Sequence, residues 1–351
     1  MRYAPRGMGS AGPNAPVGEL GTRPVLGEGP IHLGDVCLVT GGAGFIGANL
    51  VHALVAQGMR VRVYDDLSTG RLGHLEDLLG DVDFVEGDVR DPEAVHAATQ
   101  GAAVVFHLAA IPSVARSVAD PRTSNDVNVT GTVNVLVAAR DSGCQRVVFA
   151  SSSAVYGEQR TLPLHEGLAC QPISPYGVSK LAGERYLHAF FASYGLPTVA
   201  LRFFNVFGPR QNPLAEYAAV VPRFVERTLA REPVTIYGDG QQSRDFVYVG
   251  DVVQACLRAA DSDPDAWGGA FNVALGDRHS VNELATTVAS VIGGVSPSPT
   301  HVEPRAGDVR ESQADVTEIE RVLGYTPEFG FEDGIRRTVA WFAEQRDVGM
   351  L

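Results

Sequence analysis

From Val36 onward, short apolar runs alternate with longer stretches whose apolar residues recur at helical spacing. Val36–Thr40, Arg60–Tyr64, Val82–Glu86, Ala103–Leu108, Arg146–Ser151 and Pro197–Phe203 predict strands. Phe45–Gln57, Pro92–Thr99, Thr123–Ser142 and Tyr176–Tyr194 predict the helices between them. Strands that are apolar almost throughout must be covered on both faces, as parallel strands wound with helices are. The expected fold is therefore α/β, a doubly wound parallel sheet of Rossmann type, with ligands at the carboxyl ends of its strands.

After Asn205 the rhythm breaks. Gly208–Pro213 reads as a loop, Val220–Arg231 as a helix, Thr235–Gly240 as a strand ending in a turn, and Ser280–Ile292 and Asp333–Gln345 as further helices. The expected division is a wound-sheet domain over 35–205 and a smaller mixed α/β C-terminal region over 206–351, some segments of which return to the first domain. Residues 1–34, rich in Gly and Pro, read as a disordered tail.

Composition adjusts this picture only slightly. A hydrophobic content of 45% over 351 residues suffices for a sizeable core. A net charge of −13 disfavours nucleic acid and anionic membranes, so any phosphate ligand must meet a local cluster of donors. Cys37, Cys144, Cys170 and Cys256 are scattered without metal-ligand spacing and read as reduced thiols of a cytoplasmic protein. No apolar stretch has the length of a signal or a membrane span.

Chemistry concentrates in two places. Thr40-Gly41-Gly42-Ala43-Gly44-Phe45-Ile46-Gly47 joins the first strand to the first helix. Gly41, Gly44 and Gly47 there permit a tight turn and close approach of backbone to a pyrophosphate resting on the helix N-terminus at Phe45 and Ile46. Asp65 and Asp66, about 20 residues on, would accept from the ribose hydroxyls of an adenosine and repel a 2′-phosphate, which favours NAD over NADP. Asp88 and Val89 after the third strand would flank the adenine. Leu108, Ala109 and Ala110 after the fourth would form a wall of small residues. His107 beside them reads as a packed structural histidine.

The second place is Tyr176-Gly177-Val178-Ser179-Lys180, where phenol and amine lie one helical turn apart. Lys180 is the only lysine in the chain, against ten tyrosines, so chance would set a tyrosine at that spacing only about once in 35. An ammonium beside a phenol favours the phenolate and should lower its pKa, making it a base for a hydroxyl proton. Ser151, Ser152 and Ser153 end the fifth strand, where a hydroxyl can relay that proton.

Together these residues resemble the extended short-chain dehydrogenase/reductase family, from Val36 to the C-terminus. The resemblance makes Ser152, Tyr176 and Lys180 the catalytic set, with Ser153 a neighbour that contacts substrate. It adds Ser68, Thr69, Gly70 and Asn128 to the NAD contacts, which Tyr176 and Lys180 share. Phe203-Phe204-Asn205-Val206-Phe207-Gly208-Pro209-Arg210-Gln211 and Tyr217-Ala218-Ala219-Val220-Val221-Pro222 are similar to the UDP-sugar 4-epimerases, in particular the branch acting on N-acetylated sugars. In that resemblance Asn205 touches the diphosphate, the stretch from Ala218 through Ala219 and Val220 to Val221 lies beside uracil, and Tyr237 also contacts substrate. Arg244 and Arg305 hold phosphate, Asp308 binds the uridine ribose, and Ser312 leaves room for an N-acetyl group. Arg244 beside Asp245 also reads as a simple ion pair. Dehydratase relatives carry an Asp–Glu pair where this chain has Ser153 and Ala154, so the chemistry should stop at reversible oxidation. A homodimer through the Thr123–Ser142 and Tyr176–Tyr194 helices is also implied. A UDP-glucuronate 4-epimerase or decarboxylase of the same family stays open, as does a non-catalytic NAD-binding sensor or scaffold.

Overall fold

A computed structural model of the protein describes residues 32–214, 219–293, 299–304 and 310–347. The predicted strands form as β1 (Val36–Thr40), β2 (Arg60–Asp65), β3 (Val82–Glu86), β4 (Ala102–His107), β5 (Arg146–Ser152) and β6 (Thr198–Phe203). Four short strands follow, β7 (Asn205–Phe207), β8 (Thr235–Tyr237), β9 (Ser243–Arg244) and β10 (Phe246–Tyr248), and then β11 (Gly269–Val273). The helices are α1 (Phe45–Ala56), α2 (Pro92–Thr99), α3 (Val114–Ala119), α4 (Pro121–Asn125), α5 (Gly131–Asp141), α6 (Pro175–Tyr194), α7 (Val220–Leu229) and α8 (Val249–Ala260). Three more close the chain: α9 (Val281–Ile292), α10 (Thr317–Leu323) and α11 (Phe331–Asp347).

Seven strands make one parallel sheet in the order β11, β6, β5, β4, β1, β2, β3. The chain winds outward from β1 to β3, then returns to the other side of β1 as β4. That reversal opens a crevice beyond the carboxyl ends of β1 and β4, where a ligand can enter without crossing a connection. On one face, Leu50, Val51 and Leu54 of α1 pack with Val252 and Cys256 of α8. On the other, Val95 of α2, Leu136 and Ala139 of α5, and Leu187 and Phe190 of α6 fill the space over the strands. A separate apolar cluster, including Phe207, Phe224, Ile236, Phe246, Leu284, Phe331 and Phe342, lies under the C-terminal segments.

Two features depart from the sequence expectation. The stretch Thr123–Ser142 is not one helix, because a five-residue π turn, Asp126–Thr130, separates α4 from α5. The wider turn carries the buried Asn128, whose carboxamide takes the Ile111 N–H at 2.8 Å and donates to the Ile111 carbonyl at 3.2 Å. The second is the last strand and its helix, β11 and α8, which complete the sheet after the rhythm had broken. Val249, Val252, Val253, Cys256 and Ala260 do recur at helical spacing, and that signal marks α8. The free thiols Cys37, Cys144 and Cys256 are buried and Cys170 is half-buried. Among the described residues no helix is long and apolar enough to cross a membrane, and no three metal-ligating side chains gather.

Candidate active site and cofactor cradle

Each glycine of the first turn answers a different steric demand. Gly41 has φ +71°, and a Cβ on it would sit 2.7 Å from the Ala109 nitrogen, so the turn touches the wall beyond β4. A Cβ on Gly47 would come to 2.1 Å from the Gly41 carbonyl, so this glycine lets α1 press on its own turn. A Cβ on Gly44 would meet only the Gly41 carbonyl, at 3.1 Å, and otherwise project into open space. Gly44 is also the N-cap of α1, with no side-chain cap and no acidic residue in the first turn, which leaves the leading amides around Phe45 and Ile46 free of side-chain acceptors. A cradle of this shape and polarity fits the pyrophosphate of a dinucleotide.

The acidic residues after β2 separate. Asp65 is buried and accepts the Ala43 N–H and the Leu67 N–H, both at 2.9 Å, so it braces the glycine turn. Burial raises its pKa, against the pull of those two amides. Gly70 packs against the same carboxylate, a Cβ there falling 2.8 Å from Oδ1. Asp66 is exposed and accepts from the backbone and hydroxyl of Ser68, and Thr69 is exposed beside it. Asp88 is half-buried and held below the usual carboxylate range by the guanidinium of Arg90, while Val89 is buried against Gly131. Leu108, Ala109 and Ala110 form the half-buried wall after β4, the first two donating to Thr40.

Helix α6 brings the candidate proton-transfer residues to the end of β5. Ser174 caps it through the Gly177 N–H, Pro175 occupies its first turn, and the Tyr176 N–H donates to Ser117 Oγ at 3.0 Å. Lys180 is buried, donates to the Ala150 carbonyl at 2.7 Å, and lies 4.8 Å from the Phe149 ring and 6.0 Å from that of Tyr176. Burial pushes its ammonium down to about 7. Ser152 ends β5, where its hydroxyl accepts from the Ala154 N–H at 3.2 Å and lies close enough to the Tyr176 phenol to pull its pKa down. Ser153, the next residue, is half-buried.

The expected fall in the phenol's pKa is not what this geometry gives. Burial raises the Tyr176 phenol, and the neighbouring Ser152 offsets only part of the rise. The reason is that the ammonium shares the buried setting and directs its hydrogen bond to Ala150 rather than to the phenol oxygen. Behind the pair, His107 bridges Thr40 Oγ1 at 2.8 Å and Thr132 Oγ1 at 3.0 Å. Burial first, and Lys180 second, push it down to about 3, so it stays neutral and structural. Asn128 extends the same net to Ser179 Oγ at 3.0 Å, and Ser179 donates to the Tyr176 carbonyl at 2.7 Å.

The predicted substrate contacts divide. Asn205, Arg244 and Ser312 meet on residues 243–245. Asn205 donates twice to the Asp245 carbonyl, while the Ser312 N–H and Arg244 Nη1 both reach the Ser243 carbonyl. Ser312 is buried. Ala219 and Val220 stand at the start of α7 and Tyr237 at the end of β8. Arg305, Asp308, Tyr217 and Ala218 lie outside the described residues. Asp245 is buried and gathers the amides of Leu275 at 2.9 Å, Gly276 at 3.1 Å and Ala314 at 3.1 Å.

Comparison with known proteins decides the family. Residues 37–274 match the NAD dependent epimerase/dehydratase family. The chain belongs to that family. It is 42% identical over 309 residues to a UDP-glucose 4-epimerase of Mycolicibacterium smegmatis, covering 87% of this chain and 97% of that one. It is similar to the structure of a UDP-N-acetylglucosamine 4-epimerase from Methanobrevibacter ruminantium in complex with UDP-N-acetylmuramic acid. There the TM-score is 0.85 at 38% identity, over 90% of this chain and 100% of that one. A Thermus thermophilus UDP-glucose 4-epimerase in complex with NAD aligns with TM-score 0.79 at 41% identity, over 88% and 99% of the two chains.

NAD is thus the cofactor of this epimerase, and the glycine turn fits it for steric reasons already given. Sequence reasoning missed Asp245 as a backbone anchor, and it missed Glu184 of α6 and Arg202 of β6, which form a buried ion pair at 2.8 Å. Glu184 lies one turn beyond Lys180, and that spacing was the available signal.

Proposed function

We propose that the chain interconverts UDP-N-acetylglucosamine and UDP-N-acetylgalactosamine by transient oxidation at C4, with UDP-glucose and UDP-galactose as a second substrate pair. The observation that carries this reading is the meeting of the Ser152 hydroxyl, the Tyr176 phenol and the only lysine, Lys180, at the end of β5. When bound, NAD supplies the hydride acceptor for C4 and the donor that returns hydride to the opposite face. Tyr176 takes the C4 hydroxyl proton and later gives it back, with Ser152 holding the sugar oxygen between them. Lys180, 6.0 Å from the Tyr176 ring, would hold the cofactor's ribose.

The remaining assignments follow from what rotation demands. A keto-sugar that must present both faces needs its diphosphate held while the ring turns, the part given to Arg244, Arg305 and Asn205, with Asp308 on the uridine ribose. Uracil lies against 218–221, and Tyr237 contacts the substrate. Ser153, with no acid pair at 153 and 154, leaves the 6-hydroxyl intact. We read 35–205 as the NAD-binding domain and 206–351 as mainly substrate-binding. We also read the chain as a homodimer, supported by the exposed apolar residues Val118, Ile173 and Val178 beside α6. Sedimentation of the purified protein as a monomer would refute the dimer.

Ser312 carries the choice of sugar, because it is small and buried, with its N–H on the Ser243 carbonyl next to Arg244. Ser312→Tyr should lower kcat/KM for the N-acetylated sugar by about tenfold or more while sparing UDP-glucose. Relative kcat/KM values that do not move would defeat this assignment.

A further inference from the structure

We propose that Glu184 is a positioning residue for proton transfer, fixing where α6 stands on the end of β5. This inference rests on the roles given above to Tyr176 and Lys180. Tyr176, Lys180 and Glu184 follow one another at four-residue intervals on one face of α6. Their partners are three consecutive residues of β5. The ammonium bonds the Ala150 carbonyl, Glu184 Oε1 accepts from Ser151 Oγ at 2.5 Å, and the phenol neighbours Ser152. The serine run therefore divides its work, with Ser151 turned to the helix anchor and Ser152 to the phenol.

The contact is close because the helix has glycines where it meets the strand. A Cβ on Gly177 would lie 2.6 Å from the Ala154 carbonyl, and one on Gly183 would lie 2.5 Å from the Phe149 ring. Apolar contact alone would let such a helix slide; directed bonds to a carboxylate do not. Glu184 is buried together with Arg202 of β6, which donates to it through Nε at 2.9 Å and Nη2 at 2.8 Å. Arg202 continues to the Tyr156 hydroxyl at 2.9 Å, and Tyr156 to Asn272 of β11 at 2.7 Å. One carboxylate thus ties α6 to three strands. A buried ion pair is a weak source of stability compared with apolar packing, which leaves registration of the helix as what this arrangement adds.

Two variants test the proposal on the NAD-loaded protein. Ser151→Ala removes only the bond from the strand to Glu184 and keeps the ion pair with Arg202. Glu184→Gln weakens both, and if it fails to fold, Ser151→Ala decides alone. Displacing a reacting group by about 1 Å can cost about a hundredfold, so Glu184→Gln should lower kcat by about tenfold to a hundredfold and Ser151→Ala by about threefold to tenfold. KM for the UDP-sugar and the NAD content per folded chain should stay at wild-type values. Because the chain has one lysine, isotope-labelled lysine gives a single side-chain resonance, which should move in both variants. An unchanged kcat in Ser151→Ala, or a lower one with the lysine resonance unmoved, overturns the proposal. Loss of activity in Tyr176→Phe alongside normal Ser151→Ala and Glu184→Gln would sink this inference and leave the proposed function standing.

Discussion

The two sides of the site are built by different means. On the catalytic side, β5 and α6 are joined by side chains from adjacent residues of the strand and successive turns of the helix. On the substrate side, residues 243–245 collect backbone groups from β7, from the loop after β11 and from 312–314. The first holds a few atoms in fixed relation, as proton transfer demands. On the proposed function, the second gathers loops around a ligand that must turn. Damage to the first should therefore appear in kcat, and damage to the second in KM.

The largest expected effect is on the catalytic side. Tyr176→Phe keeps the ring and removes the acid–base oxygen, so kcat should fall by about a thousandfold with bound NAD retained. A variant within tenfold of wild type would break the division. On the other side, Asp245→Asn puts an amide nitrogen where a carboxylate oxygen accepts backbone N–H groups. About 1–3 kcal/mol of stability should be lost, seen in the urea midpoint. KM for the UDP-sugar should rise by about tenfold, which corresponds to about 1.4 kcal/mol, while kcat changes far less. A kcat loss without a KM change would place Asp245 on the catalytic side.

The glycine turn offers a smaller and sharper contrast. Gly44→Ala meets little protein and fills the mouth of the cradle, so NAD occupancy should drop while Tm stays near wild type. Gly47→Ala drives a methyl onto the Gly41 carbonyl, and Tm should fall with occupancy. Equal Tm losses in the two variants would contradict the steric reading.

A further contrast concerns pH. Burial takes the Lys180 ammonium from 10.5 down to about 7. Between those values the unfolded chain binds a proton that the folded chain lacks, so this group makes stability rise with pH across the window. Wild type should therefore gain urea resistance relative to Lys180→Met from neutral pH to about pH 10. A gap that shrinks over that range would show that the lysine is not desolvated.

What the sequence revealed and concealed follows the same boundary. The glycine turn and the Tyr176–Lys180 pair lie within single local units, where spacing along the chain equals proximity in space. Asp245 reads locally as the neighbour of Arg244, and only folding brings Leu275 and Ala314 to it. Asn128 could not be read as the centre of a π turn, because its partner Ile111 lies in the distant loop after β4. The direction of the Tyr176 shift was misjudged for a related reason. Burial is a property of the packed structure, and here it outweighs a favourable neighbour that sequence spacing does reveal.

The most direct test of the account is NMR of purified protein incubated separately with UDP-N-acetylglucosamine and with its C4 epimer, followed to equilibrium. The account predicts that both reactions reach the same mixture of the two epimers, with no net release of reduced nicotinamide. Failure to convert either sugar, or release of carbon dioxide or an oxidised product from a related UDP-sugar in its place, would contradict it.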